Sequence, residues 1–204
     1  MENHASFLKR LERLVDEKKI TRRQFVITDW AYINAKYGHR NQKRDDGTRY
    51  FEHLRATALI LIDELKIYDP EMIQTALMHD MLEDSYLLDK ERIKILFGPN
   101  VAGMVFTISM PPESDERFSS KQERLDFYHE RMKYSPIKIK IIKLCDRLHN
   151  SRTLGNCTPE KKRRKIAETI EHYLPLIEDV AIEYPGISRV LRREFNLAIA
   201  NLEL

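Results

Sequence analysis

The chain is poor in helix breakers. Glycine occurs 6 times and proline 8 times among 204 residues, well under their combined average share of about 12%. That excludes collagen-like, proline-rich and low-complexity classes and leaves regular helices as the economical reading. Cysteine is nearly absent. Cys145 and Cys157 are too few for a disulfide scaffold, lack the spacing of a cysteine zinc site, and read as reduced thiols of a cytoplasmic protein. Long apolar runs are missing as well. None approaches the roughly 18 residues of a membrane span, and the opening MENHASFLKRLERL lacks the apolar centre of a signal peptide. Charge of one sign is not in excess. Lys and Arg number 35 against 32 Asp and Glu, a net charge of +3, which argues against a nucleic-acid partner and leaves room for a small anionic ligand.

Helical periodicity is present throughout. Phe7, Leu8, Leu11, Leu14 and Val15 share one face, as an amphipathic helix requires. A second helix is expected over about Arg22 to Tyr37, and a third over Phe51 to Leu65. The basic, glycine-containing GHRNQKRDDGTRY between them reads as a loop. Asp69-Pro70, Ser135-Pro136 and Thr158-Pro159 have the chemistry of helix starts. FGPN separates two short helices, SMPPESDERFSS is a polar break, and a last helix follows Ile187. Strand alternation and internal repeats are absent. The expectation is an all-α protein of about ten helices in a single domain over residues 1–204.

One stretch interrupts this pattern. ALMHDMLEDS places His79, Asp80, Glu83 and Asp84 among apolar neighbours. On a continuous helix turning ~100° per residue, Asp80, Glu83 and Asp84 fall near 100°, 40° and 140° from His79. Carboxylates crowded into one arc repel, and burying them demands a compensating cation. A divalent first-row metal with imidazole and carboxylate ligands satisfies that demand, polarises phosphoryl oxygens and acidifies water. Further ligands must come from other segments. Asp146, after the apolar run Ile137 to Leu144, and His53, in the first turn of its helix, are candidates. Spacing alone does not select them over His39 or His149.

The order and separation of His53, His79-Asp80 and Asp146 resemble the HD-domain metal phosphohydrolases. The words HRNQKRDDGTRYFEH, ALMHDMLEDS, FGPNVAGMV, IKLCDRLHNSRTL and PEKKRRKIAETIEHYLP, in that order, resemble the hydrolase domain of the RelA/SpoT alarmone enzymes over roughly residues 25 to 180. The resemblance implies an all-helical HD bundle and hydrolysis of the 3′-pyrophosphate of ppGpp or pppGpp with Mn2+. It implies that His53, His79, Asp80 and Asp146 hold the metal and that Glu83 and Asp84 form the catalytic pair. It also implies that Arg44 packs on the base and Asn150 helps read the nucleoside. Lys43 and Arg44 are placed to neutralise phosphate. Asn150, four residues after Asp146, lies on the same helix face as that ligand. About 25 residues follow the matched region, so the chain is similar to the small stand-alone hydrolases rather than to members carrying a synthetase domain.

Plainer readings stand beside these. Asp146 would otherwise pair with Arg147 or Arg152, Glu83 and Asp84 would orient rather than accept a proton, and Lys43 and Arg44 would be solvated loop charges. His39 is expected to make a structural hydrogen bond at the loop base, and His149 is read as structural. KKRRK at 161–165 is expected to face solvent or a dimer partner. Two departures from the family pattern matter. Asp45-Asp46 follow Arg44 where small or basic residues are usual, and FTISMPPE replaces a Gly-Val-Thr-Lys segment, leaving Lys121 and Arg124 as substitute phosphate contacts. These departures motivate an alternative substrate, an adenine alarmone or NADPH. A nucleotide-binding sensor without turnover is the non-enzymatic alternative.

Overall fold

Three helices carry the core and the site. A computed structural model describes residues 2–85 and 87–203, so Met1 and Leu204, the ends of the expected domain, lie outside the described residues. Twelve α-helices run through it, joined by short π and 3-10 turns. They are α1 (His4–Asp16), α2 (Arg22–Gly38), α3 (Tyr50–Leu59), α4 (Pro70–Met78), α5 (Met81–Asp84), α6 (Lys90–Phe97), α7 (Pro99–Ile108), α8 (Lys121–Lys133), α9 (Ile137–Arg152), α10 (Pro159–Glu168), α11 (Leu176–Glu183) and α12 (Pro185–Glu203). The described residues contain no strand, only an isolated bridge between Lys43 and Arg49. The all-α expectation holds. No helix among them is long and apolar enough to cross a membrane.

α4 is buried from Met72 to Met78 without a break, as expected of a helix apolar on every side. It packs against α2, α3, α7 and α9. Its start follows the Asp69-Pro70 signal: the Asp69 carboxylate accepts from the Glu71 and Met72 amides at 2.9 and 3.3 Å. α9 buries Ile139, Ile141, Ile142, Leu144, Cys145 and Leu148 and packs on α3, α4, α11 and α12. The first turn of α3, the end of α4 and the second half of α9 therefore meet, and these are the segments that carry the ionisable cluster.

Three expected helices are interrupted. α3 gives way to a π turn at Ile60–Glu64, closed by the Leu65 amide on the Ile60 carbonyl at 3.0 Å. The helix that starts at Thr158-Pro159 breaks at a second π turn, Thr169–Tyr173. Pro175 supplies no amide there to continue the ladder, and α11 starts afresh. The third break alters the site. His79 and Asp80 do not lie within one continuous helix, so the ideal rotation set out above does not apply. The His79 carbonyl accepts from the Ser109 hydroxyl at 3.2 Å, and the Glu83 amide turns instead to the Asp80 carbonyl at 3.2 Å. α4 ends, and the single turn of α5 sets off with Glu83 and Asp84 on it. At the FGPN junction Gly98 has φ +93°, a conformation that side-chain-bearing residues rarely adopt, and this separates α6 from α7.

Candidate metal centre

His53, His79, Asp80 and Asp146 converge. Asp146 Oδ1 lies 3.0 Å from His53 Nε2 and 3.6 Å from His79 Nε2. Asp80 Oδ2 lies 3.2 Å from His79 Nε2 and 3.9 Å from His53 Nε2. His53, His79 and Asp146 are only 2%, 1% and 3% exposed. One ligand atom from each of His53, His79 and Asp80 falls within 4.8 Å of the others. Two imidazoles and two carboxylates from three separate segments thus aim at one small volume.

The surroundings fix His79 in the tautomer a metal needs and allow it in His53. His79 Nδ1 is 2.8 Å from the Ala76 carbonyl, which can only accept, so Nδ1 carries the proton and Nε2 presents its lone pair to the cluster. His79 Nε2 is buried without a hydrogen-bond partner among the described residues. Burial alone would lower the basicity of this imidazole, but the Asp80 and Asp146 carboxylates outweigh it and hold His79 well above its ordinary value. An unpartnered buried nitrogen where the local field favours positive charge is the condition a divalent cation satisfies. His53 Nδ1 lies 2.8 Å from His149 Nδ1, so one of the two donates. Burial, and then the charges of His53 and Arg44, push His149 down to about 3. It stays neutral and can accept, leaving His53 Nε2 free for the cluster.

The carboxylates are oriented as tightly. Asp146 Oδ2 takes the Lys143 ammonium at 2.8 Å, and Oδ1 accepts from Asn150 Nδ2 at 2.7 Å. Asp80 Oδ2 accepts from the Tyr50 hydroxyl at 2.8 Å, and that hydroxyl also lies 3.0 Å from Asp84 Oδ2. Burial and the surrounding carboxylates push the Tyr50 phenol far up, so it remains a donor. Sequence reasoning missed Tyr50 and Lys143 and read His149 as structural only. All three carry the same weak signal. Tyr50 is three residues before His53, Lys143 three before Asp146 and His149 three after it, spacings that share a helix face.

Glu83 and Asp84 stand beside the cluster rather than in it. The Met110 amide donates to Glu83 Oε1 at 2.8 Å. Glu83 sits in a crowded recess that solvent still reaches. Desolvation there, and then the charge of Asp80, push its carboxyl up to about 7, against the pull of Lys143 and the Met110 amide. Desolvation and Asp80 raise Asp84 as well. Such a carboxylate is poised to take a proton near neutrality.

The loop before α3 forms a second wall. Gly47, at φ +80°, closes a turn in which the Arg44 amide meets the Thr48 carbonyl and the Gly47 amide the Arg44 carbonyl, both at 2.9 Å. This presents Arg44 to the end of α9, where its guanidinium donates to Asn150 Oδ1 and Thr153 Oγ1, each at 3.0 Å. Arg44, Asn150, Thr153 and Leu154 line a cavity of about 170 Å³, joined to the histidine–aspartate cluster by the Asn150–Asp146 bond. Lys43 is exposed, and its side chain pairs with none of the described residues. The two acids do not crowd Arg44. Asp45 pairs with Lys161, and Asp46 Oδ1 accepts from the Thr48 amide and hydroxyl at 2.9 and 2.6 Å. Lys161 and Lys165, the ends of the basic KKRRK run, are thus engaged within the chain, Lys165 by Glu168 at 2.9 Å. His39 Nδ1 meets Gln42 Oε1 at 2.6 Å, the structural bond expected at the loop base. Arg124 pairs with Glu113 at 2.9 Å and, with Lys121, lines a separate groove.

The family model described as HD domain matches residues 31–179. The bifunctional (p)ppGpp synthase/hydrolase SpoT of Escherichia coli K12 is 36% identical over 186 residues, which are 84% of this chain and 26% of that protein. A guanosine-3′,5′-bis(diphosphate) 3′-pyrophosphohydrolase of Vibrio cholerae is 33% identical over 204 residues, 92% of this chain and 28% of that one. The chain therefore spans about a quarter of the length of these relatives. Among solved structures, a metazoan ortholog of SpoT that hydrolyses ppGpp and plays a role in starvation responses superposes with a TM-score of 0.71. It is 26% identical, and the match covers 86% of this chain and 94% of that one.

Proposed function

We propose, from the premise that this chain belongs to the HD-domain family, that it is a metal-dependent hydrolase of guanosine alarmones. It would convert ppGpp or pppGpp to GDP or GTP and pyrophosphate. The observation that carries this reading is the convergence of His53, His79, Asp80 and Asp146 beside the raised Glu83 carboxyl. The activities of the relatives supply the substrate class. Residues 1–204 act as one unit, with α1 against α2 and α12 against α9 and α11. The free thiols of Cys145 and Cys157 fit the reducing cytoplasm, where nucleotide substrates are found.

The mixed imidazole–carboxylate donor set suits Mn2+, with His53 Nε2, His79 Nε2, Asp80 and Asp146 as its ligands. When bound there, such an ion neutralises phosphoryl oxygens and acidifies a water. The chain's own groups supply the rest. Glu83 orients the attacking water and accepts its proton through a carboxylate oxygen. Asp84, bonded to Tyr50, holds Asp80 and the water's approach in register. The water oxygen bonds to the 3′ phosphorus, the bond from that phosphorus to O3′ breaks, and the proton that Glu83 accepted is the one O3′ requires on leaving. Positioning and charge neutralisation dominate such transfers. Arg44 lies flat against the nucleoside, because a guanidinium stacks on a base plane and an ammonium does not. Asn150 bridges that wall to Asp146, and Lys43 meets phosphate from the loop. Asp45 and Asp46 border the same cavity and offer carboxylate acceptors. Guanine offers such acceptors its N1–H and N2 amino donors side by side, where adenine offers one amino donor, so these acids favour guanine.

Purified protein loaded with Mn2+ should release pyrophosphate from ppGpp, with GDP as the other product, and chelation should stop it. Failure to turn over any 3′-pyrophosphorylated nucleotide would reject the reading. Faster turnover of an adenine alarmone or NADPH would reject the guanine assignment alone. Arg44→Lys keeps the charge but loses the planar fork, and KM should rise about tenfold, the worth of one charged hydrogen bond. The kcat value should fall less, since the contact is made before the chemical step.

The pH dependence follows from Glu83. It works only as carboxylate, and its value is raised from 4.5 to about 7. The active fraction therefore grows as pH rises through that window. Positive charge in the cluster draws the midpoint toward the lower end. A profile of kcat/KM should show an ascending acid limb between these values, and Glu83→Gln should abolish it. A limb that survives the substitution would assign the proton elsewhere.

A further inference from the structure

A second cavity, of about 440 Å³, borders α5. It shares no lining residue with the Arg44 cavity. Leu82 and Ser85, the neighbours of Glu83 and Asp84, form one side. Ser109 and Met110 form another: the Ser109 hydroxyl bonds the His79 carbonyl, and the Met110 amide bonds Glu83. A continuous set of hydrogen bonds and close contacts thus runs from Arg44 through Asn150, Asp146 and His79 to Ser109. The reacting centre lies between the two cavities.

The second cavity is basic. Lys90, Arg92, Arg117 and Arg131 line it against only Asp89 and Asp115. Arg117 is bound to Asp115 at 2.6 and 2.9 Å, and Arg92 lies 3.8 Å from Asp89. Lys90 lies 3.9 Å over the Phe106 ring and meets no carboxylate among the described residues. Arg131 is the unusual member. It is half-buried between the rings of Phe127 and Tyr128 and donates only to the Ser109 carbonyl. Its Nε is buried with no hydrogen-bond partner, and no acid pairs with it among the described residues. A half-buried guanidinium with no acid at ion-pair distance is costly, and a planar fork of donors matches phosphate oxygens.

We propose that this cavity binds a diphosphate group, the pyrophosphate released by the reaction, with Arg131 as its principal contact and Lys90 as a second. The assignment rests on the hydrolase reading above. When the phosphorus–O3′ bond breaks, both 3′ phosphates depart together as a polyanion, and the cations beyond Glu83 are on the side away from the nucleoside wall. A volume of about 440 Å³ holds a diphosphate and several waters, each of which occupies about 30 Å³. Burial pushes the Arg131 guanidinium down from its ordinary value, with Tyr128 and Glu83 opposing, and a bound anion would relieve that cost. This also answers the loss of the basic residue from the FTISMPPE segment: the cation sits on α8, at Arg131, rather than at Lys121 or Arg124.

The test measures pyrophosphate twice, as an inhibitor of ppGpp hydrolysis by the metal-loaded enzyme and as a ligand by calorimetry on the protein as purified. Arg131→Gln should raise the inhibition constant and weaken direct binding by about tenfold. Lys90→Gln, at the cavity rim, should act in the same direction with a smaller effect, and it carries the test if Arg131→Gln fails to fold. Unchanged pyrophosphate constants in a folded Arg131→Gln, or in Lys90→Gln alone where the first variant is unusable, would overturn the proposal. A higher KM for ppGpp with pyrophosphate binding intact would give the cavity to the nucleotide's 5′ phosphates and equally overturn it. Arg131-dependent pyrophosphate binding in a protein that turns over no alarmone would instead reject the hydrolase reading and leave the anion site standing.

Discussion

Glu83→Gln should lower kcat for ppGpp by about 100- to 10,000-fold, the range that a positioned general base supplies, while leaving nucleotide affinity and metal content close to those of the parent. The amide keeps the size of the side chain and can still meet the Met110 amide through its oxygen, but it cannot accept the water's proton. It also removes a negative charge next to Asp80, the same charge that contributes to the raised Glu83 carboxyl. The folded state should therefore be at least as stable at neutral pH as the parent. Here the linkage sign is clear. A carboxyl raised in the fold favours folding below its ordinary 4.5, and that contribution is lost as pH rises to about 7. The glutamine carries no such loss. A drop in kcat with retained melting temperature isolates chemistry from folding. A drop smaller than tenfold would move Glu83 to an orienting role and leave Asp84, bonded to Tyr50, as the base.

His79→Ala should cost more, because it removes a ligand rather than a base. The several kcal/mol of transition-state stabilisation that a catalytic metal provides corresponds to about a thousandfold or more. Its metal content should fall in parallel. Asp146→Ala should match it in activity, and its metal loss has a second cause: the buried Lys143 ammonium, now without its carboxylate, places an unpaired positive charge next to the site. His149→Ala makes the informative contrast. His149 only orients His53, so metal affinity should fall about 10- to 100-fold and excess Mn2+ should restore activity. Excess metal should not restore His79→Ala. Equal rescue of both variants would remove the distinction between holding the ion and steering a ligand.

Much of this arrangement was legible in the residues, and the failures have physical causes. Helix starts at Asp69-Pro70 and Thr158-Pro159 follow local chemistry, an acceptor before a residue with no amide to waste, and the side chains cap as expected. The helix breaks did not show, because neither π turn contains a glycine or proline and the His79–Asp80 interruption depends on a distant partner. Ser109, thirty residues downstream, takes the His79 carbonyl. The residues that converge were legible through the ordered words of the family and not through spacing, since His53 and Asp146 have no local mark that separates them from His39 or His149. The orienting residues were hidden in plain periodicity. Tyr50, Lys143 and His149 lie one helical turn from a ligand, yet most residues one turn from a ligand do nothing to it, and only the coordinates select these three. Asp45 and Asp46 stand out in the linear chain only as a departure from the family pattern. In the fold Lys161 and Thr48, the first more than a hundred residues away, take up one oxygen of each.

The central claim is that four side chains from three segments hold a single divalent ion. Metal analysis of the dialysed, Mn-loaded protein tests it most directly. The parent and Glu83→Gln should each retain one Mn2+ per chain, and His79→Ala none. An unchanged equivalent of tightly bound metal in His79→Ala, or its absence from the parent, would contradict the account.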